Sequence, residues 1–296
     1  MSELPVAVQQ TLLGPTSTQQ TVSGIEIPVL GYGVYEIPDN LTEDVTSRAL
    51  KAGYRHIDSA AYYANEKQCV SAIKKTGLER SDVFLTTKIM PELVGEGGGY
   101  EAGRAAIQQS LIDAQTSYFD LILIHAPSGG KEGRLGAWRA LVEAQKVGEA
   151  RSIGVSNFGI HHLEELEEYI QNGGGGRIEV GQYELHPWLG RSDLVEWLRD
   201  RGAVIEAFSP LCRGTRMDEP VLLSLSEKHK KNPAQILIRW SLQMGFIPLP
   251  KSCTPKRILE NADVFDFELG DDDMELLHTD EYLPCSSDWD PTVERD

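Results

Sequence analysis

Val83-Phe84-Leu85-Thr86-Thr87-Lys88 is a short apolar run that stops on a lysine, and Leu121-Ile122-Leu123-Ile124-His125 is a second that stops on a histidine. Runs of this length, continuous rather than alternating, fit strands buried on both faces of a parallel sheet. Working outward, similar runs recur along the chain. Before them stand Val29-Leu30-Gly31-Tyr32-Gly33 and Tyr54-Arg55-His56-Ile57-Asp58. After them come Ser152-Ile153-Gly154-Val155-Ser156-Asn157, Ile178-Glu179-Val180-Gly181-Gln182, Val204-Ile205-Glu206-Ala207-Phe208 and Phe246-Ile247-Pro248-Leu249-Pro250-Lys251. That makes eight candidate strands. The stretches between them carry one apolar face at helical spacing, as packing on a sheet requires. Examples are Ile107, Leu111 and Ala114, then Leu163, Leu166 and Ile170. Asn232-Pro233 and Thr254-Pro255 read as helix starts, the first leading into Ile236, Leu237, Trp240 and Met244 before Gly245.

Strands alternating with helices and no break in composition predict an α/β protein, a (β/α)8 TIM barrel in one domain over residues 1–296. A short N-terminal hairpin or plug is expected over about residues 1–28. A C-terminal helix and tail over about 265–296 is expected to lie across the barrel mouth. A doubly wound sheet is the rival, and the position of the polar residues separates the two. In a barrel, chemistry gathers at the C-terminal ends of many strands. Here the runs end in Asp58, Lys88, His125, Ser156-Asn157, Gln182, Phe208-Ser209 and Lys251-Ser252. A dinucleotide sheet would place its signal in one glycine turn after the first strand, and no GxGxxG stands there. The glycine-rich stretches 95–99 and 173–176 read as flexible loops.

Among 296 residues, 28 Lys plus Arg stand against 45 Asp plus Glu, a net charge of −17. That balance argues against nucleic acid and anionic membranes as partners, since both call for clustered cations. The run Gly270-Asp271-Asp272-Asp273 reads as solvated acidic surface. Cys69, Cys212, Cys253 and Cys285 are scattered without CxxC or zinc spacing, so reduced thiols in a cytoplasmic protein are expected, with no metal. No secretory signal and no membrane-length apolar stretch is visible. The expected state is a monomer acting on a small molecule.

Asp58, Tyr63, Lys88 and His125 come from three consecutive strand ends and the loop after the second strand, neighbours on one barrel rim. Each alone has a structural explanation: an ion pair, a packed tyrosine, a satisfied core histidine. Together they suit reduction of a carbonyl. An ammonium beside a phenol favours the phenolate and lowers the pKa of the phenol from about 10. A carboxylate holds the buried ammonium, and an imidazole can hydrogen-bond the oxygen on which charge develops.

These residues sit in segments that resemble the aldo-keto reductase family over nearly the whole chain. Gly53-Tyr54-Arg55-His56-Ile57-Asp58-Ser59-Ala60-Ala61-Tyr62-Tyr63-Ala64-Asn65-Glu66 is similar to the family's first motif. The resemblance implies Tyr63 as general acid, supported by Asp58, Lys88 and His125. It implies that Ser156, Asn157 and Gln182 hold the nicotinamide amide and that Phe208 stacks on the ring, with Ser209 and Leu211 beside it. Lys251, Ser252, Arg257, Glu260 and Asn261 match the adenosine-phosphate motif, which implies NADPH as cofactor. The implied activity is NADPH-dependent reduction of aldehydes or ketones to alcohols. Double-bond reductases of the family carry Glu in place of the His, so His125 favours carbonyl chemistry. The alternative is an NADPH-binding regulatory subunit with little turnover. Many members carry Trp where this chain has Ile89-Met90 and Ala126. The resemblance therefore implies a pocket short of aromatic walls, lined by Tyr35, Met90, Ala126 and Trp188, with Trp289 of the tail as a further candidate. Val70 stands where the first motif usually has Gly.

Overall fold

The computed structural model describes residues 13–90, 99–285 and 289–295. A two-stranded antiparallel hairpin, β1 (Thr18–Gln20) and β2 (Glu26–Pro28), precedes eight parallel strands. These are β3 (Tyr32–Gly33), β4 (His56–Asp58), β5 (Phe84–Ile89), β6 (Phe119–Ile124), β7 (Ala150–Ser156), β8 (Val180–Glu184), β9 (Val204–Phe208) and β10 (Ile247–Pro248). Each pairs with the next in chain order. All eight fall on the apolar runs. The first and last are short, yet the ring closes through them. The carbonyls of Pro248 and Pro250 accept from the backbone N–H groups of Gly31 and Gly33, at 3.0 and 3.1 Å. Proline has no N–H to give, so this edge is held by acceptors alone.

Helices α1 (Asp39–Lys51), α2 (Glu66–Lys75), α3 (Tyr100–Ala114), α4 (Gly130–Lys146), α5 (Ile160–Tyr169) and α6 (Ser192–Asp200) each connect two consecutive strands. α7 (Pro220–His229) and α8 (Pro233–Gln243) share the next connection, and α9 (Pro255–Ala262) and α10 (Asp271–Leu276) follow the last strand. The start of α8 forms as the sequence indicates. Asn232 Oδ1 accepts from the Gln235 N–H, and Gln235 Oε1 accepts from the Asn232 N–H, both at 3.0 Å. None of the described helices is long and apolar enough to cross a membrane.

Alternation along the strands divides the core in two. Ile122, Ile124, Leu85, Ile57 and Ile205 point outward and pack under the helices. Phe84, Leu121, Leu123, Val180, Val204, Ile247 and Leu249 form a separate cluster inside the barrel, closed at its N-terminal end by Ile27 of the hairpin. The hairpin is therefore a plug, as expected. Further up the same inward rows the residues turn polar: His56 then Asp58, Thr86 then Lys88, Gln182 then Glu184, and Glu206. One face of each strand thus carries both the apolar floor and the polar mouth.

Two expectations change. Asp273 is not solvated surface: it is buried, binds Lys228 at 2.7 Å and His229 at 2.9 Å, and accepts from the Gly270 N–H at the start of α10. Of the three aspartates in that run, Asp271 and Asp272 are exposed. Residues 173–176 are a loop only in part. Gly173 and Gly174 lie in a wider final turn that closes α5, with Gly173 at φ +99°, a left-handed backbone that favours glycine, and Gly175 and Gly176 follow outside regular structure. The other glycine-rich stretch falls in 91–98, outside the described residues, apart from Gly99 at the start of α3.

Candidate active site

Asp58 ends β4 and Lys88 lies near the end of β5, side by side on the inner wall. Both are buried, Lys88 completely. Lys88 Nζ donates to Asp58 Oδ1 at 2.8 Å, to Asp58 Oδ2 at 2.9 Å and to the Ser59 carbonyl at 2.8 Å. The Tyr63 hydroxyl lies 3.4 Å from the same nitrogen. Burial alone would pull the ammonium down, but Asp58 and Tyr63 together hold its pKa above the ordinary lysine value. Lys88 is therefore a fixed cation under the phenol.

Tyr63 ends a single 3-10 turn, Ala61–Tyr63, between β4 and α2. Asn65 and Glu66 anchor that turn. Asn65 accepts from the Ser59 hydroxyl at 2.8 Å and donates to the Val34 carbonyl at 3.0 Å. Glu66 accepts from Thr87 of β5 at 2.5 Å. The Asn-Glu pair of the first motif thus fixes where the phenol sits. The Tyr63 pKa is pushed up to about 12, because burial outweighs the lowering by Lys88. The reasoning from sequence weighed only the ammonium. In this structure the phenol is held as the acid form, and Lys88 limits how far it rises.

His125 follows β6, with its ring 5.5 Å from that of Tyr63 and nearly perpendicular to it. Burial, then Lys88, pushes its pKa down to about 3, so the imidazole is neutral. Its Nδ1 is buried and, among the described residues, has no hydrogen-bond partner. Asn157 Nδ2 donates to the His125 carbonyl at 2.9 Å and to Ser156 Oγ at 3.0 Å, and Ser156 Oγ donates to the Gln182 carbonyl at 2.9 Å. Asn157 has φ +63°, a conformation asparagine tolerates better than most residues.

Gln182 Nε2 points into the barrel, 2.9 Å from Asp58 Oδ1 and 2.8 Å from Glu206 Oε2. That nitrogen is spent on two carboxyl groups beneath the mouth. Glu206 is fully buried, and burial, then Asp58, pushes its pKa up to about 8. His56, 3.5 Å from Glu206 Oε1, is pushed down to about 4 by burial. Sequence reasoning missed this lower layer. Its signal was present, a glutamate in the middle of the apolar run 204–208.

Of the other cofactor candidates, Phe208, Ser209 and Leu211 line the end of β9, all partly buried. Ser209 has φ +48°. Lys251 and Arg257 are exposed, and among the described residues neither has an ion-pair partner. Glu260 pairs instead with Lys256 at 3.5 Å. Ser252 and Asn261 are buried, and Ser252 Oγ accepts from the Thr254 N–H at 3.1 Å. Two cations unpaired among the described residues, Lys251 before α9 and Arg257 in its first turn, flank a buried hydroxyl and fit a phosphate monoester.

The substrate candidates separate. Tyr35 is 41% exposed and packs against Tyr63 with ring centres 4.8 Å apart and planes tilted by 47°. Ala126 is buried, and so is Trp188, with the Arg216 guanidinium 4.9 Å over its ring. Met90 lines a cavity between α2 and α3 with Tyr62, Glu66 and Ser110. Trp289 is exposed in the tail. The tail itself crosses the rim near β8, with the Leu283 N–H on the Trp188 carbonyl at 2.9 Å and Thr279 Oγ1 on the Pro187 carbonyl at 2.7 Å. The scattered cysteines of the sequence are not all isolated: Cys212 and Cys285 meet beside His186.

The aldo/keto reductase family model matches residues 30–279. Glyoxal reductase of Bacillus subtilis is 42% identical over 267 residues, covering 89% of this chain and 93% of that protein. The crystal structure of an aldo/keto reductase from Brucella melitensis superposes with a TM-score of 0.83 at 41% identity, covering 88% of this chain and 97% of that one. A mutant of Gox0644 crystallised in complex with NADPH gives a TM-score of 0.85 at 33% identity, covering 95% of this chain and 99% of that one. With the barrel and its four rim residues in place, the chain belongs to the aldo/keto reductase family.

Proposed function

We propose that the protein reduces aldehydes or ketones to alcohols with NADPH, and that Tyr63 is the proton donor. The observation that carries this reading is the pairing of Tyr63, held protonated 3.4 Å above the Lys88 ammonium, with a neutral His125 whose ring lies 5.5 Å away. When bound, NADPH supplies the hydride for the carbonyl carbon. The protein must then deliver a proton to the oxygen. Tyr63 holds that proton at its hydroxyl, and Lys88 stabilises the phenolate left behind. Asp58 keeps Lys88 in place, and Gln182 keeps Asp58 in place. A neutral His125 can offer an N–H to the same oxygen without bringing a second positive charge against Lys88.

Ser156 and Asn157 stand at the rim where an amide can be held, and Phe208 offers an aromatic face. Lys251 and Arg257 would hold the 2′-phosphate that distinguishes NADPH from NADH, Arg as a planar fork and Lys as a compact charge. Tyr35, exposed against Tyr63, is the aromatic wall that the geometry favours for substrate. The test is a panel of simple aldehydes and ketones followed by loss of NADPH absorbance, with NADH run in parallel. Turnover with NADPH supports the reading. Cofactor binding without turnover on any carbonyl would turn it toward a regulatory, nucleotide-binding role.

A further inference from the structure

We propose that His186, Cys212 and Cys285 form a binding site for a thiophilic divalent metal, with zinc as the natural occupant, and that the metal fastens the C-terminal tail across the barrel rim. The three come from separate segments: the loop after β8, the turn after β9, and the tail. Their ligand atoms nevertheless lie within 4.8 Å of one another. A tetrahedral zinc ion, with bonds of about 2.3 Å to sulfur and about 2.0 Å to nitrogen, sets its sulfur and nitrogen ligands about 3.5 Å apart and two sulfurs about 3.8 Å apart. Cys285 Sγ lies 3.4 Å from His186 Nε2. That pair is already at the required spacing, and no other pair would have to close by more than about 1 Å.

The surroundings are prepared in three further ways. His186 and Cys212 are completely buried, so their positions are fixed by packing rather than by water. Cys212 is held at φ +47° and Arg213 at φ +51°, a left-handed pair of non-glycine residues that presents the turn to the tail at a cost in backbone strain. Glu184 accepts from the Cys285 N–H at 2.6 Å, which secures the backbone that carries the second sulfur. The same carboxylate oxygen, Oε1, lies 3.0 Å from His186 Nε2 and holds the imidazole beside the two thiols.

The charges balance. Binding displaces one proton from each thiol to solvent, and the two sulfur–metal bonds form in place of the two S–H bonds. The imidazole binds as the neutral ring, with one proton on Nδ1 and Nε2 left free for the metal, any second proton passing to solvent. One dication and two thiolates sum to zero, which suits a site with so little water. Two sulfurs and a nitrogen select zinc, cadmium or cobalt over magnesium or calcium, which take oxygen. The site is independent of the proposed carbonyl chemistry.

The experiment uses the full chain, reduced, stripped with a chelator and titrated anaerobically with Co²⁺ alone. The expected result is one equivalent bound with thiolate-to-cobalt charge-transfer and tetrahedral ligand-field bands, displaced by Zn²⁺. Cys285→Ser should lose the charge-transfer intensity, with the fold checked by circular dichroism, because Cys285 is only partly buried. Cys253→Ser, at an exposed thiol elsewhere, should keep it. Zn²⁺ should raise the melting temperature of the parent and not that of Cys285→Ser. The proposal is overturned if the reduced protein shows no thiolate band, if the band survives Cys285→Ser, or if the two thiols close into a disulfide and the reduced form binds no metal.

Discussion

Replacing Lys88 by Met tests whether the rim charges form one unit. Lys88 Nζ makes three bonds of 2.8–2.9 Å in a place with no solvent access, two of them to Asp58. Methionine has similar length and no charge. The variant would strand Asp58 beneath the mouth with, among the side chains of the described residues, the Gln182 amide as its remaining partner, beside a Glu206 carboxyl. Breaking one side of a buried pair costs about 3–5 kcal/mol, because the remaining charge stays desolvated. For 296 residues the unfolding entropy is about 0.6 kcal/mol/K, so the melting temperature should fall by about 5–8 °C. Asp58→Asn should cost a similar amount for the converse reason. The double variant Asp58→Asn/Lys88→Met leaves no net charge stranded, and should be more stable than the sum of the single losses by about 2 kcal/mol or more. Urea denaturation of the four proteins at one pH reads that coupling. Strict additivity, within about 0.5 kcal/mol, would refute the claim that Asp58 and Lys88 support each other.

Arg257→Ala should raise the KM for NADPH at least tenfold while hardly changing that for NADH; equal loss with both would make Arg257 a fold residue. Glu206, at about 8 in the folded state, contributes stability that is complete below about pH 4.5 and is lost as pH rises through 8. Glu206→Gln should remove that alkaline decline, so melting curves of parent and variant compared from pH 5 to about 9 should diverge; parallel curves would show that Glu206 is not held protonated. His125 is depressed to about 3, so its contribution is present above about pH 6.5 and is lost as pH falls toward 3. His125→Asn should flatten that acid limb, and an unchanged limb would assign the acid loss elsewhere.

The eight strands were legible because each apolar run is bounded by polar residues, and the rim because those runs end on chemistry. The interior polar layer was harder to read. Gln182 is implied by resemblance as an amide contact, yet its side-chain nitrogen is engaged by Asp58 and Glu206, and only the ring closure makes those residues neighbours. Pocket walls were the least accessible. Ala126 follows His125 directly in sequence, but its burial depends on how the rim packs, and Trp188 lies beneath an arginine 28 residues further on. Likewise Cys212 and Cys285 meet through the return of the tail, a contact that no spacing rule encodes. The net pKa of Tyr63 needed the extent of its burial as well as the presence of Lys88.

The most direct test of the account is Tyr63→Phe, assayed for aldehyde reduction by NADPH consumption alongside NADPH affinity measured by fluorescence. Removing one hydroxyl leaves the ring against Tyr35 and His125 and should not disturb the nucleotide residues. The account expects kcat to fall by roughly 10²–10⁴, the contribution of a positioned general acid, with affinity for NADPH within a few-fold of the parent. A variant that keeps most of its turnover would remove Tyr63 as the proton donor and contradict the proposed chemistry.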